Sequence, residues 1–321
     1  MSASNMKNGK AFEYACLSEL KRALEHMGKS VTVTQDKPFN TAKSKFLSLI
    51  DEQRKNYNLG AAAGIKLLLS LEPNLVNSKV PLNLSISPDS KAKGQKGDVR
   101  DVIAVRNGKN NKWEVGISCK HNHEALRHPR ITKNLDFGTD WIGVPCSSSF
   151  FNNLKPVINT IKNYESQGMI WKKLNTNVKY DIYSKVCVCF KDEIEKLCTN
   201  TNQNVPQKLI SYFFGSYDFY KIIMDEKSHS TDIQGFNVHG TLGKNYGNIR
   251  PRFKVGKTKL PSKLLEIQLK RKTTLILDFD NGWSISMRIH NKQNEMKVTS
   301  LAWDVKLEGS PTGVFTNTQL W

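Results

Sequence analysis

The sequence predicts a protein of the α/β (α+β) class, in which helices flank a central mixed β-sheet and a β-rich region follows. Residues 12–27 place apolar side chains at three- and four-residue steps, the stripe of an amphipathic helix. From Leu82 onward apolar and polar residues alternate, as in half-buried strands. After Ser211, short apolar runs between Gly and Asn turns outnumber helical patterns. We therefore expect a helical and mixed-sheet core over residues 1–200 and a β-rich basic region over residues 201–321. No low-complexity linker separates them, so the boundary is soft and the alternative is one composite body.

Local patterns predict the individual elements. A second helical run covers about residues 41–71, and we expect a break near residues 57–60. Residues 82–87 form a first strand, and a polar loop follows over residues 88–97. The next pattern predicts a β-hairpin, with strands at 99–106 and 113–120 joined by a turn at 107–111. Cys187 and Cys189 alternate with larger apolar residues, which predicts a buried strand whose thiols have no chemical role.

The charge of the chain indicates a polyanionic partner. Lys and Arg total 48 against 29 Asp and Glu, which gives a net charge of +19. The basic residues are spread from Lys7 to Lys306 among apolar segments, so we expect a folded basic surface rather than a disordered arm. Nucleic acid is the partner that such a surface favours, although charge alone does not separate DNA from RNA.

The cysteine pattern and the hydropathy predict a cytoplasmic protein. The six cysteines include no CxxC pair of a zinc site and do not reach the density of a secreted disulfide scaffold, so we interpret them as reduced thiols. The first residues lack the apolar core of a signal peptide, and no later stretch reaches eighteen apolar residues. We expect neither zinc nor a membrane among the partners.

The predicted hairpin brings together residues suited to phosphodiester hydrolysis. Asp98 and Asp101 stand at the entrance of its first strand, and Lys120 ends the second strand, so these side chains can meet at one end of the hairpin. A carboxylate holds a divalent cation that neutralises charge on the phosphoryl oxygens, and a lysine orients or deprotonates the attacking water. Mg²⁺ is the expected ion because it prefers one or two carboxylates together with phosphate oxygens.

This arrangement resembles the PD-(D/E)xK nuclease core, which has an acid on one strand and a (D/E)xK triplet on the next. Further stretches extend the resemblance over nearly the whole chain, and together they are similar to the HaeIII family of type II restriction endonucleases: residues 9–14, 97–101, 118–123, 136–146, 286–291 and 301–305. The resemblance implies a restriction-endonuclease-like core. It also implies Mg²⁺-dependent cleavage of double-stranded DNA within GGCC, blunt ends, and a DNA methyltransferase in the same cell that acts on the same site.

The resemblance assigns roles to residues of the hairpin. Asp101 would be the metal-binding acid, with Asp98 as the alternative at the same strand entrance. Lys120 would be the lysine of the triplet, and the carbonyl of Cys119 a further metal ligand. Ser118 departs from the pattern, because it stands where the triplet normally has an acid.

A second carboxylate therefore has to come from elsewhere. Analogy with enzymes that have an S-x-K triplet points to Asp136 or Glu124, and Glu13 of the first helix is the other candidate. Glu114 ranks lower, because an extended strand places it about 13 Å from Ser118. Each candidate has a structural alternative: Asp98 satisfies a turn, Asp101 and Lys120 are ordinary charges, Glu13 is exposed, and Asp136 caps a helix that begins near Phe137.

Two further groups of residues are candidate DNA contacts. His121 and Asn122 would lie near the scissile phosphate, with Arg127 and Arg130 on neighbouring phosphates. The pair His121 and His123 has no third ligand of matching spacing, so zinc is disfavoured.

The segment from Lys244 to Lys272 is unusually basic. It carries ten Lys or Arg, among them Lys254 and Arg271, against the single acid Glu266. Arg250 and Arg252 lie two residues apart, and an arginine in the major groove can bind guanine O6 and N7 together. Most contacts of this segment are expected to be with DNA phosphates, and a solvated face is the structural alternative. Arg250 and Arg252 would read guanines if they enter the major groove, and would otherwise contact phosphates.

Two other functions fit the same residues. A repair or recombination nuclease on the same core would cut by DNA structure rather than by sequence, and a DNA-binding protein without catalysis would not cut at all. A palindromic target is matched most simply by a homodimer, although a monomer that nicks each strand in turn also serves.

Overall fold

The computed structural model describes residues 3–88, 98–108, 112–122, 125–132, 134–200, 203–309 and 311–321. Helices and strands are mixed, which confirms the predicted fold class. The chain forms two compact units, each assembled from separate stretches. The first unit contains Met1–Glu124, Ser216–Lys259 and Gly313–Trp321, and the second contains Ala125–Gly215 and Leu260–Thr312.

Among the described residues, the first unit contains the helices α1 (Ala3–His26), α2 (Lys37–Leu47), α3 (Asp51–Leu71) and α4 (Pro73–Asn77). Most of the predicted stripe of α1 is buried, with Phe12, Cys16 and Leu20 in the core, whereas Met27 lies beyond the helix and is exposed. Asp36 caps α2 by accepting a 3.2 Å hydrogen bond from the amide of Phe39.

The predicted helix break near residues 57–60 is wrong, because α3 runs through these residues and the break falls at residues 48–50. Gly60 has a packing role instead. A Cβ on Gly60 would lie 2.8 Å from Cγ of Met224, so the missing side chain lets the helix approach a strand.

The first unit is built on a mixed sheet of seven strands: β1 (Val31–Val33), β2 (Leu82–Ile86), β3 (Val102–Asn107), β4 (Lys112–His121), β6 (Phe219–Asp225), β7 (Ser230–Phe236) and β12 (Phe315–Leu320), in that spatial order. β3 and β4 pair antiparallel, which confirms the predicted hairpin. β6 lies parallel to β4 on its other side, so β4 is a central strand.

The second unit combines helices with a sheet of five antiparallel strands. Its helices are α5 (Phe137–Ile142), α6 (Ser148–Ser166), α7 (Thr176–Asn200) and α8 (Val205–Phe214). Its sheet has the order β5 (Ala125–Arg127), β11 (Leu301–Leu307), β10 (Ser284–Asn291), β9 (Thr274–Phe279) and β8 (Leu264–Lys270).

The predicted strand around Cys187 and Cys189 is wrong, because both residues lie in α7. The buried residues of α7 continue the helical spacing on both sides, from Ile182 to Leu197. All six cysteines are free thiols, as predicted.

The seven strands β6 to β12 all follow residue 215, which confirms a β-rich C-terminal region among the described residues. The compact units do not follow the expected division near residue 200, because β6, β7 and β12 complete the sheet that β1 to β4 begin. In the described part of the chain, no helix has both the length and the apolar character that a membrane crossing needs.

Candidate active site

Asp101 is fixed at the entrance of β3 by the strands on both sides. Its amide donates to the carbonyl of Ile117 in β4, and its own carbonyl accepts from Ser87 after β2, each at 2.8 Å. Its carboxylate points at the end of β4. There Oδ2 accepts hydrogen bonds from the amide of Cys119 at 2.8 Å, from Oγ of Ser118 at 3.2 Å and from Nζ of Lys120 at 3.3 Å. The structure thus brings together the acid and the lysine that the sequence paired.

Glu13 of α1 belongs to the same cluster. Its side chain is nearly buried, and Lys10 lies 3.0 Å from its Oε2. Burial lowers the pKa of Lys120, but the negative charges of Asp101 and Glu13 outweigh this effect and raise the pKa above its ordinary value. The two carboxylates therefore stabilise the charged ammonium group of Lys120. Lys10 was not among the residues predicted from the sequence, although its spacing of three residues from Glu13 on a helix indicates such a pair.

These residues fit a magnesium ion. In the described ranges, no three His, Cys, Asp or Glu side chains form a group that could hold a metal ion. The protein ligands available here are the carboxylates of Asp101 and Glu13 and the main-chain carbonyl of Cys119, while the thiol of Cys119 is buried against Cys16. Two carboxylates and a carbonyl are hard oxygen donors, and Mg²⁺ commonly takes its remaining ligands from water and phosphate.

Asp98 and Glu114 are both bound to a buried arginine that the sequence analysis missed. Arg100 donates from Nε to Asp98 at 2.9 Å and from Nη1 to Glu114 at 2.7 Å, and its guanidinium lies 3.8 Å from the ring centre of Tyr217. Burial raises the pKa of Glu114, but hydrogen bonds from Arg100 and Lys112 outweigh this effect and lower it. Asp98 is thus held by Arg100, whereas the carboxylate of Asp101 is held at the end of β4.

Asp136 lies in the second unit and caps α5, which begins at Phe137. Its carboxylate accepts hydrogen bonds from the amides of Thr139 and Cys146, each at 3.0 Å, and from Oγ1 of Thr139 at 2.7 Å. Burial opposes these bonds, yet together they lower the pKa of Asp136. The structure therefore gives Asp136 the local role of a helix cap. The other candidate, Glu124, and His123 lie outside the described residues.

His121 and Asn122 follow Lys120 at the same end of β4. Nε2 of His121 lies 3.0 Å from Oε2 of Glu226, and its ring packs on Tyr57 with 4.8 Å between centroids. Asn122 has a positive φ of 49° and accepts a 3.1 Å hydrogen bond from the amide of Glu226. Glu226 and Tyr57 were not foreseen, because they come from distant segments that the sheet and α3 bring to this end.

The remaining predicted DNA contacts are divided between the two units. In the second unit, the guanidinium of Arg127 stacks 3.9 Å from the ring centre of Tyr212, and burial lowers the pKa of Arg127. Arg130 and Arg271 are exposed in the same unit. Three further cations are exposed in the first unit: Arg250, Arg252 and Lys254.

The model of the HaeIII restriction endonuclease family matches residues 9–311. The chain belongs to this family. It is also similar to the type II restriction enzyme HaeIII of Haemophilus aegyptius, with 33% identity over 323 residues that cover 100% of this chain and 99% of the relative. No solved structure matches the chain. The comparisons confirm the family that the sequence motifs indicated.

Membership of the HaeIII family makes the chain an enzyme that acts on DNA. Within it, the ends of β3 and β4 and the face of α1 place two carboxylates, one lysine and one hydroxyl around a single point. Such a group of residues can hold a hard cation and place a positive charge beside a phosphate.

Proposed function

We propose that this protein is a Mg²⁺-dependent type II restriction endonuclease that cuts double-stranded DNA within GGCC and leaves blunt ends. Membership of the HaeIII family supports the class of enzyme. The full-length relative at 33% identity supports the choice of target.

The observation behind the proposed chemistry is the contact of Asp101 with Lys120 at 3.3 Å, beside the buried carboxylate of Glu13. Metal-activated hydrolysis needs a carboxylate for the ion and a positive charge beside the same phosphate. We assign the metal to Asp101, Glu13 and the carbonyl of Cys119.

The other residues of the cluster have supporting roles in this proposal. When bound, Mg²⁺ would lower the pKa of a coordinated water and offset charge on the phosphoryl oxygens. Lys120 donates hydrogen bonds toward the scissile phosphate and orients the attacking water. The amide of Cys119 and the hydroxyl of Ser118 donate to Oδ2 of Asp101, and this carboxylate would be a ligand of the cation. His121 and Asn122 border the same end of β4 and face the adjacent phosphates.

The deciding experiment uses purified wild type, Lys120→Ala and Lys112→Ala with unmethylated plasmid, in Mg²⁺ and in EDTA. Lys112 is an exposed lysine on the same strand, 61% exposed and paired with Glu114, so it controls for the loss of one charge. We expect discrete bands with blunt ends at GGCC for wild type and Lys112→Ala, and none for Lys120→Ala or in EDTA. Heterogeneous ends would indicate a nuclease without sequence recognition, and no cleavage by wild type would leave a DNA-binding protein.

The proposed activity implies a methyltransferase partner, a second copy of the chain and a cytoplasmic location. A methyltransferase in the same cell would have to modify GGCC, since the host chromosome shares the site, and the enzyme would meet incoming DNA in the cytoplasm. A plasmid methylated at GGCC should resist cleavage. A homodimer would match the palindrome, and sedimentation of the enzyme with a GGCC duplex would give its stoichiometry.

A further inference from the structure

A long basic loop, residues 237–259, leaves the seven-stranded sheet at the end opposite to Asp101 and Lys120. Lys120 lies opposite Ile223 in the pairing of β4 with β6. Phe219, at the start of β6, lies opposite Phe236, the last residue of β7. The loop therefore begins four residues from the level of Lys120, about 13 Å along the strands.

The far part of the loop lies still farther from Lys120. Burial lowers the pKa of Arg106, and the nearby phenol of Tyr246 opposes this shift electrostatically. Arg106 is level with Trp113, seven residues before Lys120 on β4, or about 23 Å. The amide of Arg252 donates to the carbonyl of Ser70 near the end of α3, at 2.8 Å.

The loop has no regular secondary structure, but buried polar side chains hold it in place. Asn237 binds four backbone groups, among them the amide of Leu242 at 3.0 Å and the carbonyl of Val255 at 3.3 Å. Asp218 accepts three hydrogen bonds from residues 239 and 241, each at 2.8 Å. Glu72 accepts a 2.7 Å hydrogen bond from the amide of Gly243. Such anchoring reduces the entropy that the loop would lose on binding a partner.

The loop presents positive charge and no negative charge. It contains no Asp or Glu, and each of its Lys and Arg residues is exposed: Lys244, Arg250, Arg252, Lys254, Lys257 and Lys259. Its apolar residues Leu242 and Val255 point inward and are buried in the core. A preformed surface with six exposed cations fits an extended polyanion.

We propose that this loop binds the phosphate backbone of DNA outside the GGCC target, through Arg250 and Arg252, and so adds affinity without reading bases. The inference rests on the proposed function, because it takes the cut at Lys120 as the reference point. The levels of Phe236 and Arg106 lie about 13 and 23 Å from Lys120 along the strands. For a duplex that runs along these strands, this corresponds to roughly four to seven base pairs at about 3.4 Å per pair, beyond a target of four base pairs cut at its centre. Of the two contacts that the sequence left open for these arginines, this role takes the phosphate contact and not the guanine contact.

The test measures binding in EDTA to GGCC placed in a hairpin-closed duplex of about 8 base pairs and in a duplex of about 24 base pairs, at several salt concentrations. Three proteins are compared: wild type, the double variant Arg250→Ala with Arg252→Ala, and the double variant Arg250→Lys with Arg252→Lys. A lysine keeps a phosphate contact but does not form the two-pronged contact with guanine. Thermal unfolding checks that the variants fold, and plasmid digestion in Mg²⁺ maps their cutting sites.

We expect wild type to bind the long duplex more tightly than the short one. The alanine variant should lose that gain, on the order of tenfold, and its salt slope should fall by about two. The lysine variant should keep the gain, and both variants should still cut only at GGCC. The proposal is overturned if the alanine variant loses affinity equally on both duplexes or cuts other sequences, or if it binds both duplexes like wild type. Wild type that neither binds nor cuts would refute the proposed function itself.

Discussion

Ser118 stands at the position where the nuclease triplet normally has an acid, and its hydroxyl donates to Asp101 rather than adding a negative charge. In the proposed mechanism, the second negative charge that binds the divalent cation comes from another acid. Glu13 is buried on α1, and its negative charge raises the pKa of Lys120. Asp136 instead caps α5 and accepts three hydrogen bonds. The contacts of the two carboxylates therefore favour Glu13.

The variants Glu13→Gln and Asp136→Asn separate these two candidates. Each change removes a charge and keeps the shape of the side chain. A lost metal ligand removes several kcal/mol of transition-state stabilisation, so we expect Glu13→Gln to slow cleavage on the order of 100-fold or more. Asp136→Asn should cut at the wild-type rate, because asparagine caps a helix about as well as aspartate. Single-turnover cleavage of a GGCC duplex across a range of Mg²⁺ concentrations measures both rates.

Partial rescue of Glu13→Gln by higher Mg²⁺ distinguishes a metal ligand from a residue that only supports the fold, and thermal unfolding of both variants serves as the control. Slow cleavage by Asp136→Asn together with normal cleavage by Glu13→Gln would assign the second carboxylate to Asp136 instead.

The contact between Asp101 and Lys120 was predictable from the sequence, because strand alternation and the short turn of a hairpin fix which residues meet. The partners from other segments were not. Whether Glu13 faces the site depends on how α1 packs on β4, and the pairing of Asp98 with Arg100 depends on a space that Gly116 leaves open. A Cβ on Gly116 would lie 2.0 Å from Cδ of Arg100.

Among the elements, α3 extends from the candidate active-site end of the sheet to the basic loop. Its first half packs Tyr57 on His121, and the residue after its last turn, Glu72, binds Gly243 of the loop and the hydroxyl of Tyr220, both at 2.7 Å. Gly64 lets the helix lie close to β6, since a Cβ there would be 2.6 Å from Cγ2 of Ile222. The sequence indicated a helix break because glycine is a poor helix former, but close packing explains these glycines better.

Glu72 makes stability depend on pH. Burial raises its pKa from 4.5 to about 7, although hydrogen bonds from Gly243 and Tyr220 oppose the shift. The folded protein thus holds a proton that the unfolded chain releases above its own lower pKa. The stability that the protonated Glu72 contributes is fully present below about pH 4 and is lost as the pH rises through 7. We expect it to reduce the free energy of unfolding by up to roughly 3 kcal/mol between pH 4 and pH 8.

The variant Glu72→Gln should lack this part of the pH dependence, because an amide stays neutral and still accepts both hydrogen bonds. Urea unfolding of both proteins at about pH 5.5 and pH 8 gives the comparison, since all other titrating groups are shared and cancel. Equal pH dependence in the two proteins would mean that Glu72 is ionised in the folded state throughout this range.

At the scale of the whole molecule, the chain passes between its two compact units at residues 124–125, 215–216, 259–260 and 312–313. Local sequence patterns do not predict how the chain is divided between the two units, because the division depends on which distant strands pair. β4 pairs with β6, although α5 to α8 lie between these two strands in the sequence. β12, near the end of the chain, pairs with β7. A division near residue 200, inferred from composition, separates strands that share a sheet.

This pairing predicts the fate of a fragment cut at that division. Residues 1–200 retain β1 to β4 but lose β6, β7 and β12, so β4 becomes an edge strand with unpaired backbone groups and α3 loses the surface that covers Gly60 and Gly64. The second unit loses four of its five strands in the same fragment. We expect fragment 1–200 to aggregate or to unfold without a cooperative transition, under conditions in which the full chain unfolds cooperatively in urea. A fragment with dispersed amide resonances and a sharp transition would show that residues 1–200 fold alone, and the expected division near residue 200 would then hold.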